Sequence, residues 1–262
     1  MRLRTSALSV SVCLLAAAVL RAVQPAPEAS VRSWIGHEAA IEAHLKAARV
    51  TRLESIGTGV THPRRAYLDP AEPSASMTWK VLPPGRRDGY WESYKSEIAA
   101  YELDKLLEMQ MVPPAVEREI DGETGAAITW IDGVKSVKET GGKVPGAAIW
   151  GTVIRRMQMF DNLIGNPDRN AGNILLGRPG EFVLIDHSRA FVTEPKLPFP
   201  FERVDAALWT RITALTRDEV TAHIGRWIDE HAIDAMFERR TRMVKTVDKL
   251  VAKRGRAQVI IQ

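Results

Sequence analysis

Cysteine is almost missing from this chain: Cys13 is the single one in 262 residues. No disulfide can form within it, and neither a cysteine metal cluster nor thiol catalysis is available to the region beyond residue 26. Long apolar runs are scarce as well. The one candidate, Thr5 to Leu20, lies between Arg2, Arg4 and Arg21 and falls short of the roughly 20 residues that span a bilayer. It has the layout of a secretory signal. No small-x-small cleavage site follows it and Cys13 lacks lipidation flanks, so an uncleaved signal anchor is the second reading. A buried first helix is the third, although Pro25 and Pro27 isolate the segment from the residues after it. Net charge is small too: without residues 1–26 it drops from +4 to +1, so the high pI implies no nucleic-acid partner. There is no internal repeat. A hydrophobic fraction of 45% excludes a disordered chain and leaves an ordinary globular one.

What is present divides into two regions of different character. Trp34, Ile35, Ile41, Leu45 and Val50 recur at helical spacing. Residues 52–68 suggest a strand, a glycine-containing turn and a second strand. In residues 74–82, Met77, Trp79 and Val81 alternate with Thr78 and Lys80, which directs Lys80 away from the face the other three share. Residues 93–110 predict a helix that Pro113 and Pro114 end, and strands follow at 115–120 and 126–131 around "DGETG". Beyond the polar linker after Gly133, helical patterns occupy 148–164, 203–215, 217–229 and 231–253. The expected fold class is α+β: a small sheet-rich lobe, 31–133, ahead of a larger helical lobe, 134–262, with a ligand cleft between them.

One short stretch interrupts the helices: "NPDRNAGNILL", residues 166–176. After it, "NILLGRPGEFVLID" predicts a hairpin with Gly177 opposite Phe182, which sets Asn173 opposite Asp186. Two such oxygen ligands suit Mg²⁺, which takes one or two protein oxygens and fills its shell with phosphate and water. Asp168 precedes Asn173 by five positions. That is the D-x-x-x-x-N spacing of phosphoryl-transfer loops, where the aspartate accepts a hydroxyl proton and the asparagine holds metal.

These residues resemble a family. "GNPDRNAGNILL…FVLIDHSRAF" is similar to the catalytic and metal-binding loops of the protein-kinase-like superfamily, in the branch with phosphatidylinositol 3/4-kinases and Golgi secretory kinases. "SMTWKVLPPG" resembles that branch's lysine strand, and "SEIAAYELDKLLEMQMVPPAVER" its glutamate helix; together they span about residues 50–200. The resemblance implies a two-lobed kinase-like fold that uses ATP with Mg²⁺ or Mn²⁺. Asp168 becomes the catalytic base and Asn173 and Asp186 the metal ligands. Lys80, held by Glu97, contacts the α/β-phosphates. Gly57, Thr58 and Gly59 form the phosphate-covering turn, and Trp130 and Ile131 belong to the hinge that meets adenine. Asn170 stands where the branch usually has histidine, and His187-Ser188 replaces Phe-Gly after the metal aspartate.

Each residue also has a plainer reading. Asp168 could be a turn former, Asp186 a strand end and Lys80 a solvated edge lysine. Glu92 or Glu102 could replace Glu97, and Gly57 and Gly59 could form an ordinary turn. His187 and Arg189 suit structural roles. The basic face of the last helix is a solvated surface in preference to a contact for anionic lipid. The functional expectation is a phosphotransferase acting on a protein, lipid or small-molecule hydroxyl. A pseudokinase scaffold is the alternative. Export or membrane anchoring through the first 26 residues is expected, and a cytoplasmic protein if the true start lies elsewhere.

Overall fold

A computed structural model describes residues 30–57 and 62–262. The signal-like segment, Thr58 and Gly59 lie outside these residues. α1 (Glu38–Ala47) is followed by three antiparallel strands, β1 (Arg49–Ser55), β2 (Arg64–Asp69) and β3 (Ser76–Lys80). The short hairpin β4 (Gly85–Arg87) and β5 (Tyr90–Glu92) leads into α2 (Tyr94–Leu106), whose first turn is capped by the Ser93 side chain accepting from the Lys95 N–H. β6 (Ala115–Ile120) and β7 (Glu123–Thr129) complete a five-stranded sheet in the order β1-β2-β3-β7-β6.

Alternation along β3 assigns its side chains to two layers. Met77 and Trp79 pack on the outer face with Trp34, Ile41 and Leu45. Lys80 takes the opposite face and is only 5% exposed, because β3 is the central strand of the five and no edge is available to it. On that inner face Ala126 and Ile128 join Ile98, Tyr101 and Leu103 of α2 in the main core. Each large apolar side chain so buried contributes about 2 kcal/mol.

The β6–β7 turn is tighter than "DGETG" suggested. Asp121 and Gly122 alone form it, both at positive φ (52° and 80°), the backbone that a two-residue hairpin turn selects Asp-Gly to adopt. β7 therefore starts at Glu123 and ends at Thr129, which leaves Trp130 and Ile131 outside the strand.

The helical lobe begins after β8 (Lys135–Ser136) with α3 (Ala147–Ile164), bounded by left-handed Gly146 and Gly165. A 3₁₀ turn, Ala171–Asn173, leads into β9 (Ile174–Leu176) and β10 (Phe182–Leu184), which join β8 in a three-stranded sheet. β11 (Val204–Asp205), α4 (Ala206–Ala214), α5 (Arg217–Ile224), α6 (Glu230–Arg254), α7 (Arg256–Val259) and β12 (Ile260–Ile261) complete the chain, and the last strand pairs in parallel with β11. Among the described residues no helix is long and apolar enough to cross a membrane.

The hairpin register differs by one residue from the sequence expectation. Leu176 faces Phe182 and Ile174 faces Leu184, so Asn173 lies opposite Ile185 and Asp186 falls one residue beyond. The cause is the turn. The Gly177 N–H donates to Glu181 O, which closes a three-residue loop, Arg178 to Gly180, with Gly180 at φ 88°.

Candidate active site

Lys80, Glu97 and Asp186 meet on the inner face of the sheet. Lys80 Nζ donates to Glu97 Oε1 at 2.6 Å and to Asp186 Oδ1 at 2.8 Å. Burial alone would lower the pKa of this lysine, but Asp186 and Glu97 outweigh it and the pKa rises above the ordinary value. Glu97 is likewise buried, and Lys80 and His187 hold its carboxyl well below the usual range. The charge of Lys80 is the main reason that Asp186 is lowered too. Of the three glutamates open to Lys80 from the sequence, Glu97 is the partner: Glu92 pairs with Arg189 and Glu102 with Lys105. Gly125, on β7 beside Lys80, is there because a Cβ would come within 2.4 Å of Lys80 O.

The loop at 166–176 is built around Arg169, whose side chain is 2% exposed. Its Nε and Nη2 donate to the two oxygens of Asp161, at 2.9 and 3.1 Å, in a buried bidentate pair. Its Nη1 donates to Asn173 O and Ile185 O, both at 2.8 Å, and so ties the start of β9 to the end of β10. Nη2 also reaches His187 Nε2 at 2.8 Å. A guanidinium only donates, so this ring nitrogen accepts and the His187 proton sits on Nδ1, 3.7 Å from Glu97 Oε2. Burial lowers the pKa of His187 and favours that neutral form.

Asp168 is fixed mainly through its backbone. Its N–H donates to Asn166 Oδ1, and its carbonyl accepts from Asn170 Nδ2 at 3.0 Å and Asn173 Nδ2 at 3.2 Å. The Asn170 side chain also accepts from the Gly172 N–H, so it closes the turn. The Asp168 carboxylate is 38% exposed, with Arg189 Nη1 at 3.3 Å. Desolvation raises its pKa, against the opposing charge of Arg189.

Among the described residues no group of three His, Cys, Asp or Glu side chains is gathered as a metal cage. Asn173 and Asp186 supply a sparser set. Asn173 spends its Nδ2 on Asp168 O, and Asp186 receives both Lys80 and Ser188 on Oδ1. Among the described residues this leaves one amide oxygen and one carboxylate oxygen, hard donors of the kind Mg²⁺ or Mn²⁺ takes when phosphates and water fill the remaining positions. Asp186 itself is in the left-handed region at φ 59°, turned out of the strand direction.

Gly57, just after β1, is in the left-handed region at φ 69°. The two residues expected at the hinge differ from each other. The Trp130 N–H donates to Ser76 O, and its ring packs under Arg65, 4.3 Å away. The Ile131 N–H makes no hydrogen bond among the described residues. Sequence reasoning missed Asp161 and the part played by Arg169. The available signal was Asp161-Asn162 inside an apolar helical run, eight residues ahead of an arginine.

The phosphatidylinositol 3- and 4-kinase family model matches residues 152–255, from α3 to the end of α6, and so includes Asp168, Asn173 and Asp186. No curated protein matches the chain by sequence. Among solved structures, a hydra Fam20 with sugar superposes at TM-score 0.67 and 16% identity, covering 86% of this chain and 92% of that one. The Golgi casein kinase with Mn/ADP bound gives 0.64 and 12%, covering 87% and 79%. The Helicobacter pylori proinflammatory kinase CtkA gives 0.51 and 11%, covering 80% and 97%. With its helical lobe matched by the phosphatidylinositol 3- and 4-kinase model and its chain superposing on these structures, the protein has the protein-kinase-like fold.

Proposed function

We propose that the protein is an ATP-dependent phosphotransferase. The observation that carries this reading is the junction of Lys80, Glu97 and Asp186, with Asp168 and Asn173 joined through the loop beside it. Lys80 keeps Glu97 as its anchor and meets the nucleotide phosphates with its remaining donor capacity. Asn173 and Asp186 hold a divalent cation, which when bound offsets the charge of the phosphates. Asp168 accepts the proton of the acceptor hydroxyl, and its raised pKa makes it a better base than an exposed aspartate. A related fold crystallised with Mn/ADP supports the use of nucleotide and divalent metal.

The test is ADP release with Mg²⁺ or Mn²⁺ across protein, lipid and sugar acceptors. Asp168→Asn should lower turnover by on the order of 1,000-fold. Its melting temperature should still rise with ATP and metal as the wild type's does. Unchanged turnover would remove Asp168 from the role. Metal-dependent ATP binding without turnover on any acceptor would favour a pseudokinase scaffold.

A further inference from the structure

Arg189 is the cation that faces Asp168, and it comes from outside the 166–176 loop. Arg169 is consumed by Asp161, two carbonyls and His187, while Asn170 turns back onto the Asp168 carbonyl. Arg189 stands three residues after Asp186, and its fork is divided. Nε donates to Glu92 Oε1 at 2.9 Å, with Nη2 of the same ion pair also 2.9 Å from that oxygen, and Nη1 points to Asp168 Oδ2 at 3.3 Å. Glu92 is 4% exposed, and the guanidinium lies 4.2 Å over the ring of Tyr90. Both partners belong to β5, which runs directly into α2. Asp168 is thus held at its backbone by its own loop and at its carboxylate by Arg189, which is itself anchored on the sheet-rich lobe.

We propose that Arg189, anchored by Glu92 and Tyr90, is the positioning residue that sets the rotamer of Asp168 and couples it to the β4–β5 hairpin. This rests on the phosphotransferase reading. With Oδ2 against Arg189, Oδ1 is the oxygen presented to an acceptor hydroxyl. A planar fork suits this role, because one edge of the guanidinium seats on the Glu92 carboxylate while Nη1 reaches that of Asp168. A lysine in its place would keep the charge and lose the fixed direction. The coupling also makes the hairpin part of the site, since a shift of β5 moves the Asp168 carboxylate as well as the start of the helix carrying Glu97.

The experiment compares Arg189→Met, Arg189→Lys and Glu92→Gln with the wild-type protein. Loss of positioning costs on the order of 10- to 100-fold in kcat for ATP turnover, since displacements of about an ångström have that effect. Arg189→Met should show this drop with KM for ATP changed less than about twofold, and Glu92→Gln a smaller drop in the same direction. Arg189→Lys should recover part of kcat. The melting temperature shows whether each variant is folded; should Arg189→Met not fold, the lysine and Glu92→Gln variants decide. A wild-type kcat in all folded variants, or a loss that falls on KM alone, overturns the proposal. The second measurement needs no turnover. Crystal structures should show the Asp168 carboxylate rotated away from its wild-type place in Arg189→Met, and an unmoved carboxylate overturns the proposal too. If the wild-type protein turns over no ATP, the phosphotransferase reading fails by itself while the Asp168 rotamer still tests the role of Arg189.

Discussion

Arg169 makes five contacts through one buried guanidinium, and losing it would leave Asp161 charged and unpaired at 0% exposure. Breaking a buried pair from one side costs about 3–5 kcal/mol. Arg169→Met should therefore unfold at lower urea by roughly that amount and lose metal-dependent ATP binding, because Asn173 and Asp186 are no longer clamped together. The double variant Arg169→Met, Asp161→Asn should regain part of the stability, since no charge is stranded. Binding should not return. Urea midpoints and ATP titrations with and without Mn²⁺ give both answers, and a stable, binding-competent Arg169→Met would refute the clamp. At this scale the sequence was informative where chemistry and spacing coincide, as with Asp168 and Asn173. For Arg169 it held only the hint of Asp161 eight residues earlier, because the arginine's other contacts join segments that only the folded chain brings together.

At the scale of elements, α2 is the part to which the site is fastened. The Ser93 N–H donates to Ser188 O, Ser96 Oγ to Ala190 O and the His187 N–H to Glu97 Oε2, so the first turn of the helix is bonded along residues 187–190. Its other end holds a different device. Asp104, 2% exposed, accepts from the Met111 and Val112 N–H groups and shapes the bend after the helix. Burial pushes its carboxyl up to about 7, against those hydrogen bonds. A carboxyl raised on folding binds its proton more tightly in the native state. Stability then falls as pH rises from the unfolded value near 4 to about 7, and levels off above. Between pH 5 and 8 the wild type should lose on the order of 2 kcal/mol. Asp104→Asn keeps the neutral form and an acceptor oxygen, so its urea midpoint should vary less over the same range. Equal slopes for the two proteins would refute the assignment. Strand and helix positions were legible because amphipathic periods set them. The one-residue slip of the β9–β10 register was not, because it arises from how Gly177 and Glu181 close the turn.

Across the whole molecule, residues 30–36 act as a strap. Ser30 Oγ and the Val31 N–H donate to Glu181, and Arg32 Nη1 donates to Gln110 O. Despite burial, the bonds from Arg178, Ser30 and Val31 hold the Glu181 carboxyl at about 2. Trp34, 1% exposed, then enters the outer core of the sheet beside Met77 and Trp79. Trp34→Ala should cost about 3–5 kcal/mol in a urea titration, and a loss below about 1 kcal/mol would show that the strap is dispensable. The two-lobed α+β architecture followed from the change of period along the sequence. The strap did not, since Trp34 and Ile35 fit the helical period of the residues after them, while the helix itself begins only at Glu38.

The strap has a practical consequence. Ser30 is held at Glu181, beside the turn of the β9–β10 hairpin, and Asn173 and Asp186 stand at the hairpin's opposite end. Roughly 13 Å of strand separates the two ends. A bead, sensor surface or fluorophore coupled at Ser30 would therefore sit at the hairpin end remote from Asn173 and Asp186, leaving nucleotide and acceptor free to reach the immobilised protein.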